Sequence, residues 1–264
     1  WVNIHTKKGV VKGVFGCPAR DTKKIATYCK KNKIHLLEDN SHSYGAKILK
    51  KKSGTFGIAS AISFCQNKLI STGEGGAVIT NDYNIYKKLN LIRSHGRLES
   101  AKDNYFSKDK SFDYILLGYN FRMPSMNAAL GISQIKYSYK KNIKQRIKNA
   151  SYMNALLSKN KDIITPITPK FHEHFYQQYT IRLINKASLK RDKLKTYLNN
   201  SGVACRVYYE SIHKKTYYLN LFKGKIKLPN TENVSKTILT LPMYPDLNKK
   251  EIEFISKKIL EFLK

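Results

Sequence analysis

Apolar and polar positions alternate with two different periods along the first half of the chain. Residues 10–15, VVKGVF, predict a buried strand ending at Gly16. Asp21 is placed to cap a helix running to about Lys33, with Ile25, Ala26 and Cys29 on one face. Short strands are predicted at 34–37, running into Glu38 and Asp39, at 59–64 and at 76–80, and Asp82 is placed to cap the helix that follows. Strand, helix and strand in alternation imply a parallel or mostly parallel sheet covered by helices, with ligand sites at the carboxyl ends of the strands. Asp39, Ser63 and Lys68 fall at or just beyond such ends.

The pattern then changes. Residues 125–159 predict one long helical stretch, read as the link to a second domain. Beyond it, 179–183 is strand-like, 188–199 helical and 204–209 strand-like. A last helix starts at Asn248, with Glu251 three residues on as a capping box and Ile252, Ile255, Ile259 and Leu263 on its apolar face. The expected division is a large α/β domain over 1–145 and a small α+β domain over 146–264. The chain opens on Trp1 within a strand-bound segment, so an N-terminal portion is expected to be missing.

Composition narrows the function classes. The apolar runs are far too short to span a bilayer, and the first residues lack the basic-then-apolar order of a signal peptide. Cys17, Cys29, Cys65 and Cys205 are scattered, without a CxxC pair or a His cluster, which speaks against a metal site or a disulfide framework and fits a reducing cytoplasm. The formal net charge of +31 invites a nucleic-acid reading. The excess is lysine spread along the whole chain, with arginine scarce, and compositional bias is the preferred account.

The informative stretches are LLEDNSHSYGA at 36–46, SFCQNKLISTGEGGAVITND at 63–82 and LGYNFRMPSMNAALGISQ at 117–134. With HFYQQYTIRL at 174–183 and ILTLPMYPDL at 238–247, they resemble the DegT/DnrJ/EryC1/StrS family of nucleotide-sugar aminotransferases, in particular its perosamine-synthase-like members. The resemblance runs over nearly the whole chain with the motif order intact. It implies a fold-type I aminotransferase, with a three-layer α/β large domain, here incomplete, and a smaller C-terminal domain. It implies pyridoxal phosphate as cofactor, a nucleotide-linked keto-sugar and an amino-acid donor (glutamate) as substrates, and a homodimer.

By the same resemblance, Lys68 is the Schiff-base lysine and general base, an amine that must both bond the cofactor and move a proton. Asp39 holds the cofactor's pyridine nitrogen protonated, Ser63 meets its phosphate and His42 lies near its ring; Asn120 reaches the phosphate from the partner subunit. Each has a plainer reading: a solvated lysine, a turn-forming Asp or Asn, a structural His. Gly73, Gly75 and Gly76 close the loop carrying Lys68, although GxGG is also a routine hairpin turn. The substrate end is matched by Tyr208 and Tyr209, where the family carries His-Tyr, and Arg206 and His213 are candidate sugar or phosphate ligands or surface residues. Family members carry roughly a hundred further residues ahead of the segment at Val10, including a helix N-terminus for the phosphate. Two other readings stand beside the enzyme: a family member acting as a partner or regulatory subunit, and a basic nucleic-acid-binding protein.

Overall fold

The computed structural model describes residues 2–3, 8–97 and 113–264. The chain forms two compact units: residues up to Val14 with Pro18–Tyr139, and Phe15–Cys17 with Lys140–Lys264.

The first unit is built on a sheet of β1 (Val2–Asn3), β2 (Lys8–Lys12), β3 (His35–Asp39), β6 (Ala59–Ser63) and β7 (Gly76–Thr80), in the order β1-β2-β3-β6-β7. Strands β2, β3 and β6 are parallel, while β1 and β7 join the two sides antiparallel. Helix α1 (Thr22–Lys31) is the crossover from β2 to β3. No helix joins β3 to β6; residues 40–58 carry instead the hairpin of β4 (Lys47–Ile48) and β5 (Lys51–Lys52). Buried Glu38 fastens this excursion, accepting the backbone N–H of Gly54 at 2.8 Å, Phe56 at 2.5 Å and Gly57 at 2.7 Å. Gly57 sits so close to the β3 backbone that a Cβ there would lie 2.4 Å from the Leu36 carbonyl oxygen. Beyond β7 come α2 (Tyr83–Arg93) and α3 (Ser125–Ser133).

The second unit holds the larger core. Helix α4 (Tyr139–Leu157) leads to β8 (Ile163–Ile164), β9 (His172–Glu173) and β10 (Tyr179–Leu183), then α5 (Arg191–Asn200), α6 (Thr216–Leu221), α7 (Pro229–Thr237), β11 (Ile238–Leu241) and α8 (Lys249–Leu263). Strands β11, β10 and β8 form an antiparallel sheet. Ile181 and Leu239 of this sheet share one core with Met153, Leu157, Leu194 and Ile259 of the helices. Arg146 is buried in this unit and donates through Nη1 to the carbonyls of Tyr176 at 3.0 Å and Met243 at 2.7 Å.

Four expectations need correction. The strand expected at 10–15 is Lys8–Lys12, and it is not buried on both faces: Val11 is inside while Val10 is 43% exposed. Its neighbours on the same face repeat this, with Leu37 at 39% and Val78 at 50% exposure, although Ala59 between them is buried. Asp21 precedes α1 but makes no side-chain capping bond; its φ and ψ of −100° and 16° do not aim the carboxylate at the helix amides. The stretch at 125–159 is not one α-helix: a π-turn at Gln134–Ser138 separates α3 from α4, which ends at Leu157. The strand at 204–209 does not form. Arg206 alone bridges Thr240: the two exchange both backbone bonds, and the next bonded pair of an antiparallel ladder would set Ala204 against Pro242, which has no N–H to donate, while the Cys205 N–H turns the other way to the Asn199 side chain at 2.9 Å.

Candidate active site

Lys12 and Asp39 are register partners on adjacent parallel strands, so their side chains leave the sheet on the same face at its carboxyl edge. Lys12 Nζ lies 2.5 Å from Asp39 Oδ2 and 3.4 Å from Ser41 Oγ. The other carboxylate oxygen, Oδ1, accepts the Ser41 N–H at 3.1 Å and its hydroxyl at 2.5 Å. Burial alone would raise the Asp39 carboxyl pKa; the hydrogen bonds from Lys12 and Ser41 outweigh it and leave the group below its ordinary value. Asp39 is thereby an anion held by neighbours on both oxygens.

His42 follows in the turn after β3. Burial, then the charges of Lys68 and Lys12, push its pKa down to about 4 against an opposing pull from Asp39, so the ring is neutral at physiological pH. Beneath it the turn is braced by Asn40, whose Oδ1 accepts the hydroxyls of Ser43 at 2.5 Å and Ser53 at 2.8 Å.

Lys68 lies on the loop between β6 and β7, half-buried. Burial lowers its ammonium pKa and the charge of Lys12 adds to that, while Cys65 and Asp39 oppose. The structure thus brings Lys68, Asp39 and His42 within electrostatic reach of one another, with Ser63 ending β6 at the same edge of the sheet. The Ser63 hydroxyl accepts the Cys65 N–H at 3.4 Å.

The loop is clamped from outside. Gln134 accepts the Ser71 N–H at 3.0 Å and donates to the Ser71 carbonyl at 2.6 Å, and Asn127 donates to the Thr72 carbonyl at 2.8 Å. Gly75 has φ of 148°, and a Cβ there would meet Thr72 Oγ1 at 2.7 Å and Met123 Cε at 2.8 Å. Glycine is therefore required where the loop closes. Lys12, Asn127 and Gln134 were missed in the sequence. The signal for Lys12 is the parallel register of β2 with β3; Asn127 and Gln134 offer none short of the tertiary contact.

Asn120 bridges Ser94 through its backbone, and its Oδ1 accepts from Arg122 Nε at 3.2 Å. The remaining candidates belong to the second unit. Arg206 is exposed beside β11. Tyr208 and Tyr209 meet edge-on with ring centroids 5.1 Å apart, and Tyr209 stacks on Phe15 at 5.9 Å. His213 points inward, its Nε2 3.0 Å from Glu232 Oε1, and Lys214 pairs with the other oxygen at 2.5 Å. Among the described residues there is no cluster of three His, Cys, Asp or Glu able to hold a metal, and no helix is long and apolar enough to cross a membrane.

A sequence profile of the DegT/DnrJ/EryC1/StrS aminotransferase family matches residues 2–260. The chain belongs to that family. A pleiotropic regulatory protein of Geobacillus stearothermophilus is 32% identical over 99% of this chain and 66% of its own length. The UDP-4-amino-4,6-dideoxy-N-acetyl-beta-L-altrosamine transaminase of Helicobacter pylori is 30% identical over 98% of the chain and 67% of its own. Among solved structures, the E. coli GDP-4-keto-6-deoxy-D-mannose-3-dehydratase with bound hydrated PLP superimposes with a TM-score of 0.82 at 26% identity, covering 97% of this chain and 70% of that one. The likeness agrees with the fold-type I α/β architecture expected from the motifs. The chain spans about two thirds of the length of the curated relatives it matches.

Proposed function

We propose that the protein is a pyridoxal-phosphate-dependent aminotransferase that moves an amino group from an amino acid, glutamate, to a keto-sugar carried on a nucleotide. The observation that carries the reading is the meeting, at the carboxyl ends of β3 and β6, of an ionised Asp39, a neutral His42 and a Lys68 whose ammonium is destabilised. These residues fit the cofactor: an anion suits a protonated ring nitrogen, a neutral imidazole suits the ring beside it, and an amine of lowered pKa suits an aldehyde.

When bound, pyridoxal phosphate supplies an electron sink that makes the substrate's C–H bond acidic. Lys68 would hold the cofactor through its amine and, once released from it, accept and return the proton. Asp39 holds the ring nitrogen by charge, and Ser63 offers a hydroxyl to the phosphate. Gln134 and Asn127 keep the loop of Lys68 in place, so the amine reaches its target without a search. A related dehydratase branch carries His at the lysine position, and Lys68 speaks against that chemistry here.

The proposal extends to assembly. The protein acts as a homodimer in which Asn120 serves the partner's site, and Arg206, Tyr208, Tyr209 and His213 are candidates for the sugar end. The large cofactor-binding domain, expected over 1–145, corresponds to the first unit, and the small domain, expected over 146–264, to the second, which also takes in Phe15–Cys17 and residues 140–145. Its place is the cytoplasm, which the four free cysteines support.

Lys68 decides the matter. In the full-length protein, borohydride should fix the cofactor on Lys68, read by peptide mass spectrometry. Lys68→Ala should abolish the adduct with the fold intact, and Lys68→Arg should lose turnover by several orders of magnitude, since a guanidinium keeps the charge but neither attacks an aldehyde nor accepts a proton. Near-normal amination by Lys68→Arg would leave Lys68 a counter-charge only and overturn the mechanism given to it, whereas no amination and no cofactor adduct in the original protein would favour a regulatory role, the kind of role for which the Geobacillus relative is named.

A further inference from the structure

We propose that Lys12 is a positioning residue of the cofactor site: it is the resident counter-ion of Asp39 and shares that carboxylate with the cofactor's ring nitrogen, so that it sets how tightly the nitrogen keeps its proton. The proposal rests on the cofactor reading above, in which Asp39 faces that nitrogen.

The geometry is specific. Lys12 ends β2 directly opposite Asp39 in the parallel register, and the ladder continues one step further through the Gly13 N–H to the Asp39 carbonyl at 3.2 Å. The two side chains therefore emerge side by side by construction of the sheet, not by a chance meeting of surface arms. Both carboxylate oxygens are engaged, Oδ2 by Lys12 at 2.5 Å and Oδ1 by Ser41. An ionised carboxylate has about four acceptor directions, so room is left for one further N–H donor. That donor finds an anion already partly neutralised.

The charges around the site define the consequence. Lys12 comes from β2, Asp39 from the end of β3, His42 from the turn after it, and Lys68 and Cys65 from the loop between β6 and β7. Lys12 and Asp39 cancel as a pair. The cation of Lys12 then stands close to any proton on the ring nitrogen and opposes it, while the same charge helps to keep Lys68 in its amine form. A bare aspartate would hold the nitrogen's proton firmly; an aspartate shared with Lys12 holds it less firmly. The pair is partly exposed, with the Lys12 side chain at 48% and that of Asp39 at 31%, so the effect on the nitrogen's proton should weaken as salt rises.

The test uses the full-length protein, its Lys12→Met variant, which keeps the aliphatic stem without the charge, and Lys12→Arg, which restores the charge. In the cofactor-free proteins, carboxyl-labelled aspartate followed by NMR against pH should show Asp39 titrating higher in Lys12→Met and returning toward the original value in Lys12→Arg. With cofactor labelled at the ring nitrogen, the nitrogen shift against pH should show its proton retained about one pH unit higher in Lys12→Met, a tenfold change in proton affinity of the size expected for one nearby charge. A nitrogen titration identical in the original protein and Lys12→Met overturns the proposal, whatever Asp39 does. Failure of every variant to fix cofactor on Lys68 overturns the functional reading instead, and the role at the nitrogen with it; the Asp39 titration then still decides whether Lys12 is its counter-ion.

Discussion

His42 and His174 both lose basicity to burial, but the help each receives differs. At His42 two lysine charges add to burial and Asp39 works against it, whereas at His174 burial acts alone; each pKa falls to about 4. The Tyr176 N–H donates to His174 Nδ1 at 2.8 Å, which places the ring proton on Nε2, and the ring stacks on Tyr176 with centroids 4.1 Å apart. A second proton on Nδ1 would confront that N–H. Because the folded pKa lies below the ordinary value of 6.5, the unfolded chain binds more protons between about pH 4 and 6.5. Stability conferred by neutral His174 is therefore complete above that window and is lost as pH falls through it, by up to about 3 kcal/mol for a shift of this size. Urea unfolding between pH 4 and 8 should show a shallower acid loss in His174→Gln than in the original protein. Parallel slopes would place the acid sensitivity elsewhere.

One loop and its clamp form the element on which the site depends. Residues 64–75 carry Lys68, yet their hold comes from a segment more than fifty residues away, through Asn127 and Gln134. Gln134 opens the π-turn that divides α3 from α4, so the widened helical turn and the clamp occupy the same place in the chain. Gln134→Ala removes both bonds to the Ser71 backbone, at a local cost of about 1–3 kcal/mol. Amide hydrogen exchange should rise across residues 64–75 with little change in the global unfolding midpoint, because the clamp lies at a loop and not in a core. Unchanged exchange there would mean that the loop is held by its own turns, such as the Thr72 hydroxyl on the Glu74 carbonyl.

At the scale of the whole molecule, apolar surface is distributed unequally. Among the described residues, the largest fully buried side chains belong to the second unit with the exception of Ile70, although that unit also exposes Leu189 and Tyr217; the first exposes a run of large side chains between 114 and 137, including Leu117 at 84% and Met126 at 81% exposure. Neither α2 nor the start of α3 buries an apolar side chain of its own. Isolated exposed apolar residues are ordinary; a run of them with Phe121, Leu130 and Ile132 is the kind of surface that a partner covers. Asn120 lies within that run, where the proposed dimer would need it. The full-length protein should sediment as a dimer, and Leu117→Glu combined with Met126→Glu should shift it toward monomer and weaken cofactor retention. A dimer unaffected by both charges would move the interface elsewhere.

Features whose physics is local are legible in the sequence. Asp82 caps α2 and Asn248 with Glu251 forms a capping box on α8, because the partners lie within one helical turn of each other. The bounds of β7 and β10 match the alternation that predicts them. The strand pattern placed Asp39 and Ser63 at strand ends and Lys68 just beyond one. Tertiary structure decided what depends on register and on neighbours distant in sequence. Residues 10–15 read as a buried strand, since apolar content cannot show that Val10 and Leu37 stay partly exposed on one face of the sheet. Residues 204–209 look like a strand, but their amides find Asn199 and a single rung of β11 instead. Lys12 is one lysine among many until the parallel pairing of β2 and β3 sets it against Asp39, 27 residues away. A capping bond is fixed by a helical turn, whereas an ion pair between strands is fixed by the register of a sheet, and that exists only once the chain has folded.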